Sequence, residues 1–189
     1  KTAYEIRNCD WSSDVCSSDL VDLDGVFSEE VLSECGGAVD TVVALDVIEH
    51  LLRPERSLRE VRRTMRSGAK LVASTGNVAF LPVRFMLLLG QFNYGKKGIL
   101  DLTHTRLFTV RSFCRMLEGE GFRVDSVRGF GPPIRDMVGA SPLLRFLDKA
   151  AGVIARLWPG LFAYQILVEA TRIDDVETLL DRTIADRET

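Results

Sequence analysis

The stretch that decides the fold is "DTVVALDVIEHLLRPERSLREVRRTMRSGAKLVASTGN", residues 40–77. It opens in "VDTVVALDV" (39–47), a β-branched apolar run typical of a buried parallel strand. Apolar residues at helical spacing then predict a helix over 53–68, with Gly68 as its stop. "AKLVAST" (69–75) predicts a second strand. This order predicts two parallel strands joined by a right-handed crossover.

Further strands and helices follow downstream. The segment 109–121 predicts a helix with Thr109 as N-cap and with Phe113, Met116 and Leu117 inside. "FRVDSVRGF" (122–130) and "LFAYQILVEATRI" (161–173) predict two more strands. The alternation predicts an α/β fold with a Rossmann-like, doubly wound sheet. Ligands bind such sheets beyond the carboxyl ends of the strands, so the site is expected within 46–50 and 75–108.

Composition limits the classes of function. The chain has 189 residues, 46% of them hydrophobic, which is enough for one domain with a core. The net charge of −3 comes from interspersed acidic and basic residues, which argues against a nucleic-acid partner. Four cysteines fit no zinc spacing and are typical of a reducing, cytoplasmic chain. Nothing in the sequence requires a metal, and no apolar run is long and uncharged enough to span a bilayer.

The first twenty residues differ from the rest. "DWSSDVCSSDL" (10–20) has neither strand nor helix periodicity. As protein it is a disordered polar leader. It also resembles, together with "KTAYEI" (1–6), the frame translation of a common short-read sequencing adapter. The second interpretation sets residues 1–20 aside as a non-native leader. It predicts one domain over 21–173 and a charged tail over 174–189.

The motifs resemble a known family. The sequence predicts a strand ending in "LDVIEHL", a helix after "PE", a glycine turn and a strand ending in "STGN". This order of elements is similar to the second half of class I S-adenosylmethionine-dependent methyltransferases. The string through "GILDLTHTRLFT" resembles their small-molecule branch, often found with glycosyltransferases in surface-polysaccharide pathways, and more distantly the ubiquinone-type O-methyltransferases. The resemblance covers about 21–127. It implies S-adenosylmethionine as cofactor and methyl transfer to an oxygen, or less readily a nitrogen, of a small or lipid-linked acceptor.

One part of the family pattern is missing. Such methyltransferases begin with a strand and an acid-x-Gly-x-Gly turn, and this chain has none; "ECGGAVD" precedes the strand at 39–47 instead. The adapter interpretation implies an N-terminal truncation that removes the first two strands and the glycine-rich loop. With the family's strand order 3-2-1-4-5-7-6, the strand at 39–47 would then be an exposed edge. The chain as written is therefore expected to bind the cofactor weakly and to be inactive.

The resemblance assigns cofactor contacts at two places. At "VDLDG", Asp22 would accept a hydrogen bond from the adenine amino group and the backbone of Leu23 would pair with the ring. A simple turn is the alternative for this motif. In "LDVIEH", Asp46 and Val47 would face the methionine portion and the methyl group of the cofactor. The alternative for Asp46 is the N-cap of the following helical turn.

Candidate catalytic residues cluster in "LDVIEH" and "THTRLFT". His50, four residues after Asp46, either acts on the substrate or is a structural hydrogen-bonding residue. His104 could accept the proton of a substrate hydroxyl. Arg106 could hold an anionic substrate group by paired hydrogen bonds, or pair internally with Asp101. These are the only two histidines of the chain, and both map to the expected cleft.

Two apolar segments bear on the nature of the methyl acceptor, and each has two interpretations. "FLPVRFMLLLGQFNY" (80–94) predicts a helix that is apolar nearly all round, either packed in the core or forming a lid for a lipid-linked or aromatic substrate. "SPLLRFLDKAAGVIARLW" (141–158) predicts an amphipathic basic helix that either covers the sheet or makes a peripheral membrane contact. One apolar face is expected to hold Leu143, Leu147, Ala150, Ile154 and Leu157.

Two other classes of function fit less well. A nucleotide-binding dehydrogenase would need G-x-G-x-x-G after its first strand, and "LDVIEHL" followed by "STGN" argues against it. A non-catalytic scaffold or partner domain would keep the fold without the site. The oligomeric state and the identity of the acceptor are not determined by these patterns, because a fold does not fix a substrate.

Overall fold

The structure is a computed structural model that describes residues 3–10, 15–132 and 142–174, with side chains described for 22–132 and 149–174. The predicted tail therefore lies outside the described residues beyond Asp174. The strands are β1 (Ala3–Asp10), β2 (Val15–Asp22), β3 (Val39–Leu45), β4 (Met65–Gly76), β5 (Phe122–Phe130) and β6 (Gln165–Arg172). The helices are α1 (Ser28–Glu34), α2 (Pro54–Thr64), α3 (Leu81–Leu88), α4 (Val110–Gly119), α5 (Pro142–Leu157) and α6 (Pro159–Phe162), with a short 3-10 turn at Ile48–His50.

Four strands form the central sheet, in the order β3-β4-β6-β5. β3 and β4 are parallel, with Val42 opposite Leu71, and α2 connects them. β6 inserts antiparallel between β4 and β5. The predicted α/β, Rossmann-like fold is confirmed, as a mixed, open sheet of four strands. The order also corresponds to the last four positions, 4-5-7-6, of the sheet expected from the sequence.

The two N-terminal strands stand apart from this sheet. β1 and β2 pair with each other in an antiparallel hairpin, with Cys9 opposite Cys16. Within the described part of the chain, neither strand joins the four-stranded sheet. The adapter interpretation and the domain boundaries stay predictions.

β3 lies at an edge of the sheet, as the sequence predicts. Its only strand partner among the described residues is β4. Two of its apolar side chains face outward: Val43 is 61% exposed and Leu45 is 53% exposed. A parallel strand with large apolar side chains is normally covered on both faces. The exposure of this strand therefore marks an open side of the sheet.

The end of α2 was predicted wrongly. The helix ends at Thr64 and not at Gly68, because Met65 is already extended. Met65 is 1% exposed, pairs with Val39 and accepts a hydrogen bond from the Arg172 guanidinium at its carbonyl. Burial of this side chain in the sheet outweighs the glycine signal. Gly68 keeps a left-handed φ of 73°, but inside β4.

Helix α4 matches its prediction closely. Thr109 is the N-cap, and its side chain accepts from the backbone N–H of Ser112 at 3.1 Å while the Ser112 hydroxyl accepts from the backbone N–H of Thr109 at 2.9 Å. This reciprocal pair is a capping box. Phe113 and Leu117 are fully buried against the sheet, and Met116 is partly buried. The amphipathic period alone was enough to place this helix.

The C-terminal strand is shorter than predicted. Leu161 and Phe162 belong to α6, and β6 begins only at Gln165. The neighbouring strand β5 packs closely against α5. A Cβ added at Gly129 would lie 2.3 Å from the carbonyl oxygen of Ala155. Glycine therefore allows β5 to approach α5 closely.

The two apolar helices are less buried than the sequence suggests. In α3, Val83 is the one buried residue, so plain core packing is wrong for this segment. In α5, Ala155 is fully buried, whereas Leu157 is 81% exposed, which corrects its predicted place on the covered face. The side chains of Leu143 and Leu147 lie outside the described residues. Among the helices that the structure describes, none has the length and apolarity needed to cross a membrane.

A charged group ties three strands together and makes stability depend on pH. The Asp125 carboxylate accepts hydrogen bonds from the Thr171 hydroxyl and from the Lys70 ammonium at 2.9 Å. The Thr171 hydroxyl first, and then Lys70, lower the pKa of Asp125 from 3.8 to about 2. The folded state therefore favours the ionised carboxylate more than the unfolded chain does. This contribution is complete above the unfolded pKa and is lost as the pH falls through the folded value.

We expect Asp125→Asn to lower the free energy of unfolding at pH 6 and to have a much smaller effect at pH 2, where the carboxylate is protonated in the unfolded chain and about half protonated in the folded protein. Urea denaturation of both proteins between pH 2 and pH 7 measures the difference. Asp40→Asn is the control, since Asp40 makes an exposed ion pair with Arg66 that contributes little at any pH. A difference for Asp125→Asn that is the same at every pH would contradict the prediction.

Candidate functional site

Backbone hydrogen bonds join the two histidine-bearing segments. The backbone N–H groups of Thr105 and Arg106 both donate to the Glu49 carbonyl, at 2.9 and 3.1 Å. The Thr105 hydroxyl donates to the carbonyls of Glu49 and Leu51, at 3.0 and 2.6 Å. The loop that carries "THTR" is thus fixed against the turn that follows β3. This brings His50 and His104 together at the carboxyl end of the strand, as the sequence predicts.

The two imidazoles are in direct contact. Their ring centroids lie 4.8 Å apart, with the rings at 71°. The Nδ1 atom of His50 is 3.1 Å from the Thr103 carbonyl oxygen, and that of His104 is 3.0 Å from the Ile99 carbonyl oxygen. A carbonyl oxygen only accepts, so each Nδ1 carries the proton. In the neutral imidazole each Nε2 then keeps its lone pair for an incoming proton or ion.

The Asp101 carboxylate is linked to the His50 ring through Thr103. Asp101 Oδ1 accepts from the backbone N–H of Thr103 at 2.8 Å and from its hydroxyl at 2.7 Å. The Thr103 hydroxyl oxygen is in turn 3.2 Å from His50 Nδ1. The backbone hydrogen bond of Thr103, followed by its hydroxyl, lowers the pKa of Asp101. The chain Asp101–Thr103–His50 therefore fixes both the orientation and the tautomer of the ring.

Glu49 completes the cluster and was missed by the sequence analysis. Its side chain is 2% exposed, and its Oε2 has no hydrogen-bond partner in the described part of the chain. Burial raises the pKa of this carboxyl, and the nearby negative charge of Asp46 raises it further. The available signal was a single carboxylate inside the otherwise apolar "VIEHLL". A charged residue in such a run is rarely buried without a reason.

Asp46 is held by residues that are distant in the sequence. Its carboxylate oxygens accept from Gln165 Nε2 at 2.7 and 2.6 Å, and Oδ1 also accepts from the Ser74 hydroxyl at 2.9 Å. The backbone has a left-handed φ of 53°. The N-cap alternative is wrong, since Val47 occupies that position and no side chain caps the turn. Ser74 and Gln165 were not predicted as site residues.

Arg106 pairs with a different residue from the one suggested. Its guanidinium donates to the Glu55 carboxylate on α2, and not to Asp101. It also lies 5.9 Å from the ring centroid of Phe108. Both partners leave the side chain 47% exposed at the rim of the cluster. An exposed guanidinium at this rim can still meet an anionic group.

The predicted adenine contacts lie in a turn before α1. The Gly25 N–H donates to the Asp22 carbonyl at 2.9 Å, and the Asp24 N–H donates to Asp22 Oδ1 at 3.2 Å. The structure thus forms the turn that "DLDG" favours, and an adenine contact of Asp22 stays a prediction. Leu23 and Val47, in contrast, line one small apolar cavity together.

The residues present fit part of an S-adenosylmethionine site. Asp46 is exposed at the carboxyl end of β3, where the family places the methionine end of the cofactor. The cavity shared by Leu23 and Val47 has a volume of only about 30 Å³, which is too small for an adenine ring, so the predicted ring contact is not assigned to it. The glycine-rich turn is not in the sequence, so no backbone cradle for the methionine portion can be assigned.

The protein resembles several solved methyltransferases. A SAM-dependent methyltransferase from Archaeoglobus fulgidus is 19% identical over 80% of this chain and 66% of its own, with a TM-score of 0.47. An S-adenosylmethionine-dependent methyltransferase from Mesorhizobium loti is 17% identical over 80% of this chain and 67% of its own, with a TM-score of 0.44. A SAM-dependent methyltransferase from Methanosarcina mazei is 13% identical over 74% and 61%, also with a TM-score of 0.44. At these sequence identities and TM-scores, the similarity does not indicate a function.

Family membership rests on the sequence match. No curated protein matches the sequence. The chain spans about two thirds of the length of the Archaeoglobus protein. The family model described as "Methyltransferase domain" matches residues 4–127, about two thirds of the chain and including segments around β1 and β2. The chain therefore belongs to the methyltransferase-domain family, whose cofactor is S-adenosylmethionine.

Proposed function

We propose that this protein transfers a methyl group from S-adenosylmethionine to an oxygen of a small or lipid-linked acceptor. The observation that supports this most is the contact between His50 and His104 at the carboxyl end of β3. Each imidazole donates its Nδ1–H to a backbone carbonyl and keeps the Nε2 lone pair. An acceptor hydroxyl must lose its proton as it attacks, and a positioned neutral imidazole can take it. An amine acceptor has less need of such a base.

The other residues position the reactants. When bound, S-adenosylmethionine supplies an electrophilic methyl group on a sulfonium. The exposed carboxylate of Asp46 would face the positively charged methionine end, held in place by Gln165 and Ser74. Arg106 at the rim would hold an anionic group of the acceptor by paired hydrogen bonds. Bringing the hydroxyl oxygen into line with the bond between the methyl carbon and the sulfonium sulfur, with the imidazole beside the hydroxyl proton, contributes more to the rate than any single contact.

A lipid-linked acceptor is supported by an exposed apolar segment. Six large side chains along α3 and the loop after it are at least 42% exposed: Phe85, Leu87, Leu88, Leu89, Phe92 and Tyr94. Basic residues flank them at Arg84, Lys96 and Lys97. An apolar surface bordered by basic residues suits the interface of an anionic lipid layer. The proposed peripheral membrane contact lies there rather than on α5.

We also propose that the 189-residue chain alone binds its cofactor weakly, since the sequence lacks an acid-x-Gly-x-Gly turn. Calorimetric titration with S-adenosylmethionine should give a Kd of about 1 mM or weaker, equivalent to about −4 kcal/mol. A micromolar Kd would contradict this proposal. The activity is therefore tested with methyl-labelled donor at several millimolar and a panel of hydroxyl and amine acceptors, with and without a lipid anchor. Label found on amines alone, or on no acceptor when donor binding saturates, would overturn the proposed function.

A further inference from the structure

Glu49, His50 and His104 form a cluster with the spacing of a metal site. One candidate ligand atom from each residue lies within 4.8 Å of those of the other two. Ligand atoms lie about 2.0–2.2 Å from a bound first-row ion, so two of them on one ion are at most about 4.4 Å apart. The separation in the structure exceeds this limit by less than half an ångström. Small side-chain rotations are enough to close the cluster around one ion.

The hydrogen bonds behind the two rings are those that metal-binding histidines make. A ligating histidine usually donates its other ring N–H to a carbonyl or carboxylate, which fixes the tautomer and directs the free nitrogen at the metal. Here His104 donates to the Ile99 carbonyl, and His50 donates to Thr103, which is fixed by Asp101. Both imidazoles are thus prepared to bind through Nε2.

The buried carboxylate supplies an independent argument. Glu49 Oε2 is buried without a hydrogen-bond partner among the described residues. Burying an unpaired carboxylate is costly, and such groups are normally paired or coordinate a metal. The Arg106 guanidinium belongs to the same loop but pairs with Glu55 instead. A cation between Glu49 and the two imidazoles would satisfy this oxygen.

We propose that Glu49, His50 and His104 bind one divalent first-row transition ion. Two imidazoles with one carboxylate suit ions such as Mn²⁺, Fe²⁺ or Zn²⁺, whereas Mg²⁺ prefers oxygen ligands and retained waters. Three protein ligands leave coordination positions open on the solvent side, because both histidines are only half-buried. This is the arrangement of a catalytic metal site rather than of a closed structural one.

The catalytic consequence rests on the proposed function. An acceptor hydroxyl in an open coordination position would have a lowered pKa and would release its proton to solvent water. The imidazoles would then act as ligands, and direct proton transfer to them would not be needed. The metal site itself can be tested without donor or acceptor, so the two proposals can fail separately.

Electron paramagnetic resonance of Mn²⁺ tests the site, because bound Mn²⁺ loses the sharp signal of the free ion. We expect the chain to bind one Mn²⁺ with a Kd below about 100 μM, corresponding to about −5.5 kcal/mol. Glu49→Gln and His104→Asn should each weaken binding at least tenfold. Thr103→Val removes the hydroxyl that links His50 to Asp101 but keeps the backbone carbonyl, and should weaken binding about 10-fold as well. Glu169→Gln is the matched control and should leave the Kd unchanged, since Glu169 pairs with Arg128 on the sheet.

Different results would refute the metal site and the proposed function. Circular dichroism and urea denaturation establish that each variant is folded, and Glu49→Gln keeps the shape of the side chain even if a histidine variant does not fold. Absence of Mn²⁺ binding up to 1 mM, or equal binding by the wild type, Glu49→Gln and His104→Asn, would overturn the metal site. Mn²⁺ binding without methyl transfer to any hydroxyl when donor binding is saturated would support the metal site and refute the proposed function.

Discussion

His104→Asn is expected to lower the rate of methyl transfer to a hydroxyl acceptor by about 10²–10³-fold, within the range that a general base contributes. The Nδ1 atom of His104 lies 3.0 Å from the Ile99 backbone carbonyl oxygen, which anchors the ring. An asparagine amide can still donate to that carbonyl, but it has no basic nitrogen and binds metal poorly. The same loss is expected whether the proton goes to the imidazole or is released at a bound ion.

The measurement is the initial rate of label transfer, with donor and acceptor concentrations varied separately. A loss of chemistry lowers kcat and leaves the KM for S-adenosylmethionine nearly unchanged, because the interaction is made in the transition state. Glu169→Gln is again the control and should stay within twofold of the wild type. A His104→Asn rate within threefold of the wild type would contradict any chemical role for this histidine. Addition of a chelator distinguishes the two routes, since only the metal-dependent route is lost.

The order of the four strands of the central sheet and of helices α2 and α4 could be predicted from the sequence, because each of these elements carries its own periodicity. Thr109 caps α4 as expected, and Phe113 and Leu117 face the core. The end of α2 could not be predicted in the same way. Gly68 stops a helix or permits a bend in a strand with the same left-handed φ, and only the burial of Met65 in the sheet decides between them.

Some residues of the site could be predicted from the local sequence, whereas others are positioned by contacts with distant parts of the chain. His50 and His104 were predicted because the carboxyl end of a strand is a known position for ligands. Glu49 was missed, since its burial depends on the loop that packs over it from 56 residues further along the chain. Gln165 holds Asp46 from a separation of 119 residues, which no local pattern reveals.

Arg106 illustrates why ion pairs are hard to predict. Asp101 is near in sequence, but its carboxylate is taken by the backbone and hydroxyl of Thr103. Glu55 is exposed on α2 and meets the guanidinium once the loop is fixed to the turn after β3. Short polar side chains satisfied within their own turn are unavailable to longer partners. Asp46 does not cap the turn that follows it, because its carboxylate accepts from the distant residues Gln165 and Ser74 instead.

Phe113 is a core residue of helix α4. Its ring is fully buried on α4 and meets the ring of Phe108 edge-on, with the centroids 5.2 Å apart. Phe108 precedes the N-cap Thr109 and forms a bridge to Asn77 at the end of β4. Phe113 therefore links the helix to the sheet and to the loop that carries His104. Removing the ring leaves a cavity that the rigid strands packed against α4, β5 and β6, cannot fill.

We expect Phe113→Ala to lower the free energy of unfolding by about 4 kcal/mol, as is typical for loss of a buried aromatic side chain. Urea denaturation followed by circular dichroism measures the change, with an unchanged slope if the transition stays two-state. Phe85→Ala is the matched control: the Phe85 side chain on α3 is 56% exposed, and its removal should change stability by less than about 0.5 kcal/mol. Equal losses for the two variants would mean that α4 does not anchor the sheet. A large loss for Phe113→Ala alone would show that the packing of α4 on the sheet stabilises the fold.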